Sequence, residues 1–143
     1  MAVAGMRRML PLVVVVAACA GSAERKGAAR PAAITDLDWE LSAIEGRASP
    51  LGAGDQPVTL RLDAAASRAA GFAGCNRYSA PFRVHGDSLS FGPAISTKMA
   101  CTDGMELERR FLVALPVFTT WRRADSTLTL SGPSGPLARF RLR

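Results

Sequence analysis

Stretches in which apolar and polar residues alternate with period two recur along the chain from Trp39 onward, and they limit the possible fold more than any other feature. Such alternation belongs to half-buried strands, whose side chains point by turns to core and solvent. Trp39 to Ile44 is the first, closed by Gly46, and Val58 to Leu62 follows with Val58, Leu60 and Leu62 facing inward. Tyr78 to Val84 is a third; Pro81 within it predicts a sheet edge or a bulge, because proline has no amide to give to a ladder. His85-Gly86-Asp87 reads as a turn from which Ser88 to Phe91 returns to complete a hairpin. Thr120 to Arg123, Thr127 to Leu130 and Leu137 to Leu142 form a closing meander with turns at 124–126 and 132–135.

One segment breaks this pattern. Met105, Leu107, Phe111, Leu112 and Leu115 fall at helical spacing, with Glu106, Glu108, Arg109 and Arg110 on the polar side. The spacing predicts a helix over about 103–115, capped by Thr102 or Asp103 and ended or kinked at Pro116. The fold class is therefore α+β, mainly β. A strongly curved antiparallel sheet or small partly closed barrel, with the helix across its open side or end, buries both apolar faces.

Gly71-Phe72-Ala73-Gly74-Cys75-Asn76-Arg77-Tyr78 is the densest local motif, and Cys101 lies 26 positions after Cys75. Glycine suits a backbone that bends or runs close to another segment, since it has no Cβ. Two accounts fit the polar residues beside it. Asn76, Arg77 and Tyr78 are a binding lip for a carboxylate or a peptide backbone, or Asn76 satisfies backbone groups at a structural corner. The corner is the favoured account.

The N-terminus is set apart from the fold. Arg7 and Arg8 precede an uncharged run from Met9 to Ala20, and at about 1.5 Å per residue those 12 residues fall well short of a bilayer core. A basic start, a short apolar run and small residues describe an export signal. Val16-Ala17-Ala18-Cys19 resembles the bacterial lipobox, in which the cysteine becomes the acylated first residue; the alternative is an ordinary cleavage site with Cys19 incidental. The expected organisation is a lipoprotein signal peptide at 1–18, a flexible tether at 19–33, rich in Ala, Gly and charge, and one domain at 34–143.

Losing Arg7 and Arg8 with the signal takes the formal charge from +6 to +4. The remaining arginines are scattered, and an exported chain seldom meets nucleic acid, so the basic balance fits a solvated surface or weak affinity for anionic membrane or cell-wall polymer. With Cys19 acylated, Cys75 and Cys101 are left in an oxidising compartment as a candidate disulfide, free thiols being the alternative. Residues suited to chemistry are few. His85 is the single histidine and sits in a turn, and a hydrolase would need Ser79 or Ser88 beside it without a nucleophile-elbow motif. Asp36, Asp38 and Glu40 fit a charged strand entrance better than a metal site, and Trp39 and Trp121 fit core positions better than a sugar platform. No cofactor or metal is expected.

An ordered series carries a resemblance: Trp39-x-Leu41-x-x-Ile44-x-Gly46, the Gly71–Tyr78 stretch, Gly86 to Phe91, Thr97 to Cys101, Met105 to Phe111, then Trp121 and Leu128-Thr129-Leu130. It is similar to the META domain, the family of the bacterial heat-shock lipoprotein HslJ, across nearly all of 36–143. Ala80 and His85 stand where that pattern more often has Gly and Asp. The resemblance implies a small barrel-like sheet with one helix, often exported and lipidated, and brings no catalytic residues. The expected function is a non-enzymatic, lipid-anchored envelope protein serving stress tolerance, binding or assembly, in the outer membrane facing the periplasm if there is one. Its partners would be the membrane and an envelope protein, not nucleic acid, and a monomer is expected. A small apolar-ligand carrier is the second reading and a hydrolase a distant third.

Overall fold

The computed structural model describes residues 33–143; the signal peptide, Cys19 and all but the last residue of the tether lie outside them. Among the described residues ten strands and one α-helix follow in order: β1 Asp38–Ile44, β2 Arg47–Ala48, β3 Thr59–Asp63, β4 Arg68–Phe72, β5 Arg77–His85, β6 Ser88–Phe91, β7 Ile95–Ser96, α1 Met105–Ala114, β8 Thr120–Ala124, β9 Thr127–Gly132 and β10 Gly135–Leu142. The sheet runs β10-β9-β8-β6-β5-β4-β3-β1, and β10 pairs with β1 to close an antiparallel barrel of eight strands. The short β2 and β7 lie beside it, on β1 and β5. Closure removes the open edges that a curved sheet would otherwise expose. The thinnest seam is β6 to β8, held by the pair Ser88 and Thr120 and by the flanking amides of Leu89 and Trp121 on the carbonyls of Thr119 and Asp87.

Alternation selects the interior. Trp39, Leu41, Ile44, Leu60, Leu62, Leu89, Phe91, Leu128, Leu130 and Phe140 point inward and are buried. β1 slips register between Leu41 and Ala43, so a bulge lets Leu41 and Ile44 both face the core although three positions apart. Small residues fill the remaining interior positions: Ala69 and Ala80 are direct partners across β4 and β5, and both are fully buried. Such pairs leave room for the aromatic side chains of a narrow barrel.

Each end is stoppered. The helix covers one, placing Leu107, Phe111 and Ala114 inward, with Leu115 and Phe118 following from the 3-10 turn Leu115–Val117. The Phe111 ring lies edge-on between Tyr78 and Phe140, with ring centroids 5.2 and 6.4 Å away. At the other end Ile34 is buried, its carbonyl accepts from Trp39 Nε1 at 3.0 Å, and the Arg123 guanidinium stacks 5.3 Å over the Trp39 ring. Arg123 also donates to the carbonyl of Ala33.

The predicted strands are present, with three differences. β4 carries Arg68-Ala-Ala-Gly-Phe72, too poor in large apolar residues to show alternation. Pro81 is not at an edge, since β5 pairs with β4, β6 and β7, but the pairing beside it shifts by one residue, from Phe82 opposite Phe91 to Ser79 opposite Ile95. Its nitrogen falls at the last pair of the β5–β6 ladder, where the Gly92 amide donates to the Pro81 carbonyl at 2.9 Å and only the return bond, which proline cannot give, is missing. The helix begins at Met105, and the residue before it is Gly104 in a left-handed conformation, not Thr102 or Asp103 as a side-chain cap.

Candidate functional site

The Gly71–Tyr78 motif spans the end of β4, a tight corner and the start of β5, directly against the first turn of α1. Gly71 belongs to the strand: a Cβ there would lie 2.1 Å from the Thr59 carbonyl oxygen of β3. Gly74, at φ +130°, makes the corner, and its carbonyl accepts from the Ala53 amide at 2.7 Å. A Cβ on Gly52 or Gly104 would lie 2.2 or 2.0 Å from that same oxygen. Three loops thus meet through bare glycine backbone. Cys75 and Cys101 form a disulfide with Cα atoms 5.8 Å apart, tying the corner to the segment before the helix. Cross-linking a separation of 26 residues removes denatured-state entropy worth about 3.5 kcal/mol in the chain-entropy account.

Asn76 is the buried polar residue of this corner, and its hydrogen-bonding capacity is fully used. Its Oδ1 accepts from the Met99 amide at 2.7 Å and from Thr97 Oγ1 at 3.0 Å. Its Nδ2 donates to the Met99 carbonyl at 3.2 Å and to Glu108 Oε1 at 3.0 Å. Glu108 Oε2 in turn accepts from the backbone amides of Cys75, at 3.1 Å, and Asn76, at 2.5 Å. This carboxylate, one turn into the helix, closes the network as the charged acceptor of three N–H donors. Sequence reasoning read Glu108 only as part of a polar helix face. The signal was present in its place one turn from Phe111, at the border of the buried face, but its partners lie 32 and 33 residues away.

The residues proposed as a lip do not converge on solvent. Tyr78 is buried, its hydroxyl donates to the Thr59 carbonyl at 3.0 Å, and burial pushes its pKa well above the usual tyrosine range. Arg77 points outward, alone among the three. The other candidates are also engaged. Asp38 pairs with Arg61 at 3.2 Å, Glu40 with Arg143 at 3.1 Å, and Asp36 accepts from the Ala64 amide at 3.3 Å. Among the described residues no acidic, His or Cys group of three is placed to hold a metal ion. Ser79 Oγ accepts twice from Arg68, at 2.7 and 3.1 Å, and lies six residues along β5 from His85. Ser88 does oppose His85 across the hairpin, but both are exposed. Trp121 Nε1 donates to the Gly86 carbonyl at 3.0 Å, which fastens β8 to that hairpin.

These features have relatives. A family model for the META domain matches residues 32–143. The NMR structure of a protein from Burkholderia xenovorans is similar, with a TM-score of 0.62 and 33% identity over 76% of this chain and 83% of that one. A second NMR structure, at a TM-score of 0.57 and 18% identity over 74% of this chain and 88% of that one, shares the fold. No curated protein matches the chain.

Proposed function

Because the chain belongs to the META domain family, we propose that it works as a non-enzymatic module held to the cell envelope by a lipid on Cys19, where it serves stress tolerance through binding or assembly. One observation carries the reading: the polar groups gathered at the glycine corner are spent on the fold. Asn76 has no hydrogen-bonding position left, Glu108 is committed to the corner, and Cys75 is oxidised. A buried, saturated network specifies structure, and exposing it for chemistry would leave donors unpaired at about 1–3 kcal/mol each. Activity of such a domain then resides on its outer wall and in its placement at a surface.

The carrier reading is weaker for a similar reason. Large side chains occupy the barrel axis, and Phe111 and Ile34 stopper its two ends. A ligand would have to displace them.

Placement at the membrane rests on the signal-like start and on the sequence around Cys19. Three acyl chains anchor stably where one would not. Metabolic labelling with an alkyne fatty acid tests it: label is expected on the natural chain and absent from Cys19→Ala. Equal label on both, or none on either, sinks the anchored reading.

A further inference from the structure

We infer that the outer wall formed by β8, β9 and β10 docks on anionic phospholipid headgroups through Arg122, Arg139 and Arg141. The register places them together. Thr129 of β9 is paired with Arg122 of β8 on one side and Arg139 of β10 on the other, and Thr127 is paired with Arg141. Leu128, Leu130, Ala138 and Phe140 fill the inner face of these strands, so the arginines and threonines share the outer one. Directly opposed residues on neighbouring strands lie about 5 Å apart, so the three guanidiniums and the hydroxyls between them cover a patch of headgroup dimensions.

The patch is exposed and its charge is uncompensated. Among the described residues, Arg122, Arg139 and Arg141 make neither an ion pair nor a side-chain hydrogen bond, whereas Arg61, Arg109, Arg110 and Arg143 each hold a carboxylate. Glu40 opposes Arg141 across β1 and β10, but Arg143 already binds its carboxylate. A guanidinium offers a planar pair of donors that matches a phosphate better than an ammonium does. Three of them on one outer wall, with threonines between them, suit a surface of many phosphodiesters.

The tether favours a membrane as the occupant. The described chain enters at Ala33, whose carbonyl is held by Arg123, the residue next to Arg122 on β8. About 14 residues separate Ala33 from Cys19. Even fully extended, a segment of that length reaches at most roughly 50 Å. A domain held that close by its β8 end meets the lipid surface repeatedly, and the arginine wall is on the strand where the tether arrives. The orientation rests on the anchored reading above; the affinity of the wall does not.

The test therefore uses the unlipidated full chain, Cys19→Ala, with vesicles of equal phosphatidylglycerol and phosphatidylcholine against vesicles of phosphatidylcholine alone. The ratio of the two partition coefficients cancels the apolar contribution of the leader. It is expected to favour the anionic vesicles, to fall with added salt, and to drop about five-fold for each arginine removed, on the order of 100-fold for R122Q/R139Q/R141Q. The equal charge change on other outer strands, R47Q/R68Q/R83Q, is expected to leave the ratio within a few-fold. If the first triple variant fails to fold, R139Q alone gives the five-fold reading. Equal loss in both triple variants, no loss in the first, or displacement by millimolar inorganic phosphate overturns the proposal. Failed fatty-acid labelling with this ratio intact would remove the anchor and leave the docking wall standing.

Discussion

Two buried polar side chains show how the corner is built at the residue scale. Tyr78 is the single tyrosine of the chain, which makes its ionisation directly visible. Burial raises its pKa, so the folded state keeps the phenol protonated where the unfolded chain would release the proton near pH 10. The stability this represents is whole below that pH and is lost as pH rises through and beyond it toward the raised native value. Ultraviolet titration is expected to show no tyrosinate as the folded protein passes pH 10, then full ionisation with unfolding; smooth ionisation in the folded state would contradict the burial. Asn76→Ala strands the Met99 amide and part of the Glu108 carboxylate, at an expected cost of about 2–3 kcal/mol in urea denaturation. A cost below about 0.5 kcal/mol would mean that the corner is held without it. Glu108 shows what a single sequence conceals at this scale. Its type and helical position were plain, yet a carboxylate on an amphipathic flank looks alike whether it meets water or three N–H groups from a distant loop.

The same contrast holds for whole elements. Strands with large alternating residues, such as Thr59–Asp63 and Thr127–Gly132, were readable because their buried side chains are Leu60, Leu62, Leu128 and Leu130. β4 was not, because the narrow barrel needs Ala69 opposite Ala80, and small residues carry little hydrophobic signal. Proline misled only in part: the rule concerns a missing donor, and whether Pro81 sits at an edge or at a ladder's end depends on where β6 departs at Gly92. The helix start depends on backbone contact more than on a side-chain cap. Gly104 has φ +84° and rests against the Gly74 carbonyl, so Gly104→Ala meets both a disfavoured conformation and a backbone clash. Thermal denaturation is expected to show a loss of about 3 kcal/mol, and a loss within 0.5 kcal/mol would show that the three-loop junction yields easily.

For the whole molecule, closure and the two stoppers explain why the sequence disclosed a fold class so much better than a function. Period-two segments, one helix and paired cysteines limit the architecture to a few choices, and β10 meeting β1 settles it as a closed barrel. An outer wall leaves a fainter trace: Arg122, Arg139 and Arg141 are scattered in the chain, and only strand register gathers them around Thr129 and Thr127. As proposed above, Cys19 joins this barrel to a membrane while the two remaining cysteines are oxidised. Intact mass spectrometry of the mature protein extracted from membranes reads both features at once. The expected species is a polypeptide beginning at Cys19, carrying three acyl chains and two hydrogens lighter than the reduced chain. An unacylated polypeptide, or one whose mass does not change on reduction of Cys75 and Cys101, would contradict the account.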